Sequence, residues 1–64
     1  MSFAENFRSA RLAANLTQQQ IADELRLDRT AIAHYEKGDS MPNARIFQKI
    51  CDLFIISFDE LLKE

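Results

Sequence analysis

Hydrophobic side chains recur at intervals of three or four residues along most of this chain, the spacing of helices that bury one face. In the first segment, Phe3, Phe7, Ala10 and Ala14 follow that spacing, with polar residues between them. Asn15 follows, and asparagine tolerates the left-handed conformation that often stops a helix. The pattern therefore predicts a first amphipathic helix that ends near Asn15.

A second helix is predicted to begin at Gln18. Thr17 and Gln20 are spaced as in a capping box, in which the Thr17 side chain accepts the backbone N–H of Gln20 and the Gln20 side chain returns to Thr17. The predicted inward positions of this helix are Ile21, Ala22 and Leu25. The apolar pattern breaks after them, which predicts a short helix of about two turns.

A third helix is predicted over residues 29–37, because Asp28 is a favourable N-cap residue and Gly38 can end a helix. The second and third helices are joined by a turn of about three or four residues, which is the spacing of a helix-turn-helix. The polar Arg29 and His34 project from the third helix away from the core. A face of this kind can enter the major groove of DNA and offer hydrogen-bonding groups to base edges.

Two further helices complete the predicted all-α fold. Asn43 can cap a fourth helix after the loop that contains Pro42, and Ser57 and Glu60 repeat the capping-box spacing at the start of a fifth. The inward residues predicted for the fourth helix are Ala44, Phe47, Ile50, Cys51 and Phe54, and the fifth carries Leu61 and Leu62.

The length of 64 residues is that of one small domain, predicted to span residues 1–64, with no room for a deep cleft between two lobes. The chain has one Cys and one His, which excludes an internal disulfide and the Cys/His ligand sets of a structural zinc site. The same count leaves no nucleophile and base for catalysis. We therefore expect no enzymatic activity, no metal and no cofactor.

A single Gly excludes the Gly-rich loops that hold nucleotide phosphates, and no apolar run approaches the ~20 residues of a membrane span. The N-terminal residues lack the basic-then-apolar layout of a signal peptide. We therefore expect a cytoplasmic protein with no membrane partner and no evident small-molecule ligand. A reducing compartment also suits the free thiol of Cys51, which is predicted to be a buried apolar filler.

The charge balance is acidic, with eight Lys and Arg against ten Asp and Glu and a net charge of -2. Residues 18–45, which contain the helix-turn-helix, hold four basic and five acidic residues. Neutralising phosphates supplies most of the sequence-independent affinity for DNA. One copy of this domain should therefore bind DNA weakly, and two copies on one duplex would be needed for useful affinity.

Several stretches of the sequence occur together at fixed separations: Leu16 to Ala22, residues 32–38, Pro42 after a short loop, and residues 57–61. On these stretches the chain resembles the lambda-repressor-like, Cro/CI-type helix-turn-helix family, also called the xenobiotic-response-element type, over nearly its whole length. The resemblance implies a compact five-helix DNA-binding domain of a bacterial or phage transcriptional regulator.

Two positions depart from the family pattern. Arg26 stands where the turn between the second and third helices usually has Gly, and Ile55 stands where Gly usually ends the fourth helix. Only glycine adopts the left-handed backbone conformation without a steric penalty. We therefore expect one or both of these turns to be tight or strained.

The resemblance also implies a set of DNA-contacting residues. Those implied to face base edges are Arg29, Thr30, Ala33 and His34. Those implied to bind phosphates are Gln18, Gln19, Lys37, Ser40, Asn43 and Arg45. Arg29 is the strongest candidate because its planar fork matches O6 and N7 of guanine. An ordinary surface role for His34 stays open beside base contact.

Arg11 and Glu36 are predicted to form a structural ion pair. Both are the residue types that the family places at these positions to connect the first and third helices. A carboxylate near a helix C-terminus is opposed by the helix dipole, so Glu36 needs a cation close by. If the pair is buried and bidentate, removing one partner should cost about 3–5 kcal/mol, whereas an exposed pair would contribute only about 0–1 kcal/mol.

A homodimer is predicted from apolar residues that fall outside the inward series around the fourth and fifth helices. These residues are Ile46, Leu53, Ile55 and Phe58. Exposed together, they would form a patch typical of an interface. The leading hypothesis is a repressor that binds an inverted repeat in double-stranded operator DNA as a homodimer. The alternative is a protein-interaction module on the same fold, such as an antitoxin or an adaptor.

Overall fold

Five α-helices make up the regular structure of residues 2–64, the part of the chain that the computed structural model describes. They are α1 (Phe3–Ala13), α2 (Gln18–Leu25), α3 (Arg29–Lys37), α4 (Ala44–Phe54) and α5 (Phe58–Leu62). No strand occurs within residues 2–64. The prediction of an all-α fold with five helices is confirmed, and the predicted bounds of α3 match the observed ones.

Short polar side chains set where α2 and α4 begin. At α2 both bonds of the capping box form: the backbone N–H of Gln20 donates to Thr17 Oγ1 at 3.0 Å, and the backbone N–H of Thr17 donates to Gln20 Oε1 at 2.8 Å. At α4 the backbone N–H of Ile46 donates to Asn43 Oδ1 at 2.9 Å. These bonds satisfy N–H groups that have no partner inside the helix, so they define its first turn.

Of two other predicted side-chain caps, one forms in part and the other does not form. The Ser57 hydroxyl accepts the backbone N–H of Glu60 at 3.1 Å, which is one half of the predicted capping box at α5. Asp28 occupies the N-cap position of α3 with the extended backbone of a cap residue, but its side chain makes no capping hydrogen bond. The start of α3 therefore depends on packing more than on a side-chain cap.

Every helix contributes one fully buried large side chain to a common core. These side chains are Phe7, Ile21, Ile32, Ile50 and Leu61. Phe3 of α1 connects three aromatic rings, with its centroid 5.4 Å from Phe7, 5.4 Å from Phe47 and 6.4 Å from Tyr35. Because no helix buries its apolar face alone, the five helices depend on one another for stability.

Two small residues predicted to face inward are exposed. Ala14 follows the last residue of α1, and Ala44 is the first residue of α4. Both stand at helix ends, where the helical periodicity no longer sets the direction of the side chain. The larger inward residues behave as predicted, with Phe47, Ile50 and Cys51 buried and Phe54 half-buried against the core.

Three non-glycine residues adopt the left-handed conformation where helices end. Asn15, Arg26 and Ile55 have φ values of 59°, 59° and 56°, and Gly38 has 84°. The expected strain at Arg26 and Ile55 is thus present, since a left-handed residue with a Cβ costs roughly 1–2 kcal/mol. The strain is largest at Ile55, because its branched Cβ crowds the backbone carbonyl more than the unbranched Cβ of Asn15 or Arg26 does.

Arg26→Gly is expected to stabilise the fold by about 1 kcal/mol, because glycine removes the steric cost of the left-handed turn. Lys49→Gly is the matched control, since Lys49 is an exposed residue in the middle of α4. There glycine should destabilise by about 1 kcal/mol. Urea unfolding measures both changes, and a loss of stability in Arg26→Gly would contradict the assignment of strain to this turn.

Candidate nucleic-acid interface

The packing of α2 against α3 decides which face of α3 is exposed. Ala22 of α2 is fully buried in the core, and its carbonyl accepts the backbone N–H of Leu27 at 2.8 Å in the turn. Ile32 is fully buried and Tyr35 nearly so, and therefore the side of α3 that carries them faces the core. Since α3 has nine residues, the opposite side presents about two turns to the outside.

The four base-reading candidates share the exposed side of α3. Thr30, Ala33 and Lys37 follow one another along the helix at intervals of three or four residues, with Arg29 and His34 on either side. All of them are exposed except Ala33, which is half-buried. A helix with its side chains is about 10–12 Å across, and the major groove is about 12 Å wide, so this side can enter the groove.

Arg11 and Glu36 form a bidentate ion pair that joins α1 to α3. Arg11 Nε donates to Glu36 Oε2 at 2.5 Å, and Arg11 Nη2 donates to Glu36 Oε1 at 3.1 Å. The two side chains are only 10% and 5% exposed. Arg11 Nη1 also donates to the carbonyl of Leu16 at 2.8 Å, so the same guanidinium holds the segment before α2.

Gln18 connects this ion pair to the start of α3. Its Nε2 donates to Glu36 Oε1 at 3.1 Å, and its Oε1 accepts from Arg29 Nη1 at 3.4 Å. The side-chain amide proposed for phosphate binding therefore has both ends directed at protein groups. Arg29 is exposed, and the bond to Gln18 is long, so most of its donors face outward.

Arg8 belongs to the same cluster, although it was not among the predicted site residues. Its Nε lies 3.9 Å from Glu36 Oε1, and its side chain is 59% exposed. The signal was present, because residues three apart on a helix share a face and Arg8 precedes Arg11 by three. What the sequence did not indicate is that Gln18, the first residue of α2, donates to the same Glu36 carboxylate that Arg8 and Arg11 approach from α1.

The other phosphate-binding candidates lie at two places. Gln19 stands in the first turn of α2, where its Nε2 donates to Asp23 Oδ1 at 2.9 Å. The remaining candidates occupy the end of α3, the following loop and the first turn of α4: Lys37, Ser40, Asn43 and Arg45. All four are exposed, although the Asn43 side chain is engaged in capping α4.

His34 faces Asp39 across the end of α3, with Nδ1 and Oδ2 3.4 Å apart. The two side chains are 50% and 57% exposed, so water screens the pair and it contributes little to stability. The imidazole is therefore held only loosely. Both the base-contacting and the ordinary surface role of His34 fit this position.

The four predicted dimer residues divide into two pairs. Ile55 and Phe58 are exposed by 89% and 43%, and they lie at the end of α4 and the start of α5. Ile46 and Leu53 were expected on the same open patch, but both are half-buried against the core. Leu53 lines a cavity together with Leu25 of α2, so it faces α2 instead of the patch. Phe58 is itself partly packed, since its ring lies 4.7 Å from that of Phe47.

Burial raises the pKa of two side chains in the core. Burial raises the pKa of the Tyr35 hydroxyl, and burial followed by the charge of Asp52 raises the pKa of the Cys51 thiol. Both groups are therefore protonated near neutral pH, and Cys51 is a packing residue as predicted.

Residues 2–64 contain no group of three or more potential metal ligands, and no helix among them is long and apolar enough to cross a membrane.

The sequence is similar to several known regulators. It is 40% identical over 62 residues to the HTH-type transcriptional activator BcrR of Enterococcus faecalis. The matched region covers 97% of this chain and 30% of that protein. It is 39% identical over 61 residues to the cryptic phage CTXphi transcriptional repressor RstR of Vibrio cholerae. Here the matched region covers 95% of this chain and 54% of that protein. The chain thus spans between about a third and about half of the length of these relatives.

Solved structures of two regulators have the same fold. A transcriptional regulator from Listeria innocua superposes with a TM-score of 0.92 at 28% identity, covering 98% of this chain and 59% of that one. The restriction-modification controller protein C.AhdI from Aeromonas hydrophila superposes with a TM-score of 0.83 at 27% identity, covering 94% and 91%. Residues 7–61 also match the sequence pattern shared by the helix-turn-helix family. The chain therefore belongs to the Cro/CI-type helix-turn-helix family of DNA-binding transcriptional regulators.

Proposed function

We propose that this chain represses transcription by inserting α3 into the major groove of an operator. The observation that carries the proposal is the exposed side of α3, where Arg29, Thr30 and His34 stand free of the core while Ile32 holds the opposite side. Repression is the activity of one relative, the phage repressor RstR, and activation that of another, BcrR. Repression follows physically when the bound protein occupies DNA that RNA polymerase needs.

The proposed contacts divide into those that read sequence and those that position the protein. Arg29 donates two hydrogen bonds to guanine, while Ala33 offers only a methyl group, which suits the methyl of thymine. Lys37 and Arg45 bind phosphates beside the groove, together with Ser40, Asn43 and the first turn of α2. Phosphate contacts set the register of α3 but carry no sequence information.

A homodimer is part of the proposal because one copy has a weak electrostatic attraction to DNA. Residues 18–45 hold five acidic and four basic residues, so a single copy neutralises few phosphates. Two linked copies convert the second binding event into an intramolecular one and gain affinity without any new type of contact. A two-fold dimer would place its α3 helices about 34 Å apart, which matches half-sites of an inverted repeat.

Ile55 marks the proposed dimer interface. It combines a left-handed backbone with φ of 56° and a side chain that is 89% exposed, and each feature is unfavourable for isoleucine in a monomer. Strained residues persist where function requires them. Burial of Ile55 and Phe58 against a second copy gives these apolar side chains a partner.

Selection from a random duplex library tests the proposed function. We expect the wild-type chain to enrich an inverted repeat whose half-sites are about one helical turn apart, and to shift that duplex more strongly than a scrambled one at low salt. Equal binding to selected and scrambled duplexes, or none at low salt, would contradict the proposal. The acidic surface favours one alternative, a protein-interaction module, and the absence of DNA binding would support it.

Ile55→Gly is expected to change monomer stability and self-association in opposite directions. Glycine relieves the left-handed strain, so the monomer should gain about 1 kcal/mol, while loss of the side chain should weaken the dimer about tenfold or more. Thermal unfolding at dilute concentration and sedimentation equilibrium measure the two effects. Leu12→Gln is the control, because Leu12 is a 49% exposed apolar residue on α1. A wild-type monomer both free and on DNA would contradict the dimer.

A further inference from the structure

We propose that Arg8 is a phosphate-binding residue of the DNA interface and that the carboxylate of Glu36 places it there. The inference rests on the proposed function, since it assigns an additional contact to the same site. The DNA-contacting residues implied by the family resemblance begin at α2 and include no residue of α1. This proposal extends the interface onto α1.

The first argument is position. Glu36 Oε1 lies 3.9 Å from Arg8 Nε and accepts a hydrogen bond from Gln18 Nε2 at 3.1 Å. Gln18 Oε1 in turn lies 3.4 Å from Arg29 Nη1. Arg8, Gln18 and Arg29 therefore succeed one another along a single edge, which runs from α1 across the first turn of α2 to the first turn of α3.

The second argument is charge. Glu36 is only 5% exposed, and Arg11, which is 10% exposed, already binds both of its carboxylate oxygens. Arg8 is 59% exposed and lies beyond hydrogen-bonding distance, so the structure does not need it to neutralise Glu36. Arg29 contacts Gln18, so the edge carries two exposed arginines, Arg8 and Arg29, beside the buried pair of Arg11 and Glu36, on a chain of net charge -2.

The third argument is the orientation of Gln18. Its amide nitrogen is directed at Glu36, and its amide oxygen is directed at Arg29. The Gln18 oxygen, an acceptor, cannot bind a phosphate oxygen, and Glu36 already uses one of the two N–H donors of the Gln18 nitrogen. The long, exposed cation beside it is Arg8, whose guanidinium has donors left for a phosphate.

Salt titration of DNA binding tests the proposal. Dissociation constants of the wild type, Arg8→Ala and Arg8→Lys are measured on the selected duplex and on a scrambled duplex at several salt concentrations. Losing one phosphate contact should flatten the slope of log affinity against log salt by about 0.9 and weaken binding about threefold or more at low salt. The loss should be equal on both duplexes, and Arg8→Lys should retain most of the slope because lysine still presents a cation.

Arg26→Ala is the matched control, since Arg26 is an exposed arginine at the opposite end of α2. It removes the same charge but should leave the salt slope unchanged. A normal slope in Arg8→Ala, with wild-type binding intact, would overturn this inference alone. An equal loss of slope in both variants would also overturn it, because the effect would then be one of net charge. Failure of the wild type to bind either duplex would overturn the proposed function as well.

Discussion

Arg11→Met is expected to destabilise the fold by about 3–5 kcal/mol, the range for removing one partner of a buried ion pair. The physical reason is that Glu36, with a side chain 5% exposed, would keep its charge in a site that water hardly reaches. The carbonyl of Leu16 would lose its guanidinium donor as well. For a domain of this size each kcal/mol lowers the unfolding midpoint by roughly 4–8 °C.

A double-mutant cycle measures how much of that loss belongs to the pair. Glu36→Gln should also destabilise, because it leaves the Arg11 cation buried without its carboxylate. The double variant Arg11→Met, Glu36→Gln should lose much less than the sum of the single losses, since neither charge remains. If a single variant is too unstable to fold, the cycle can be repeated in the stabilised Arg26→Gly background.

Arg8→Met provides the control for the cycle, because Arg8 lies on the same helix and near the same carboxylate but is 59% exposed. Exposed ion pairs contribute only about 0–1 kcal/mol, so this variant should unfold close to the wild-type midpoint. Small and additive losses in the Arg11 and Glu36 variants would contradict the prediction. In that case another contact would have to hold α3 in its orientation.

Arg29→Ala is expected to weaken binding to the selected operator by about 1–3 kcal/mol and to relax the preference at one base pair. Arg29 is exposed at the first turn of α3, and its bond to Gln18 at 3.4 Å is weak enough to exchange for a base. The measurement is a set of dissociation constants on operators that carry each base at every position in turn. Stability should change little, because the side chain is not part of the core.

Arg45→Ala is the matched control for base reading, because Arg45 is also exposed but lies in the first turn of α4. As a proposed phosphate contact, it should weaken selected and scrambled duplexes equally and flatten the salt dependence. A loss of equal size on both duplexes in Arg29→Ala would show that Arg29 also binds phosphate. The base-reading role would then move to other residues of α3.

Helix boundaries were predictable from the sequence because they depend on residues three or four positions apart. The capping box of Thr17 and Gln20 defines the start of α2, and Gly38 ends α3 in the left-handed conformation, both as predicted. The strain at Arg26 and Ile55 was foreseeable for the same reason, since a turn between two helices imposes its own backbone angles. These interactions are local, so the order of residues determines them.

Only the tertiary structure decided how side chains from different helices share space. Ile46 and Leu53 were expected to be open, but both are half-buried against the core that the other helices form around α4. The direction of the Gln18 amide and the place of Arg8 both follow from Glu36, which reaches them from α3. Such contacts join residues far apart in the chain, and periodicity along one helix reports only its own buried face. The sequence by itself therefore determined the helices and the exposed side of α3, whereas the packing of α1, α2 and α3 around one buried carboxylate determined the edge beside it.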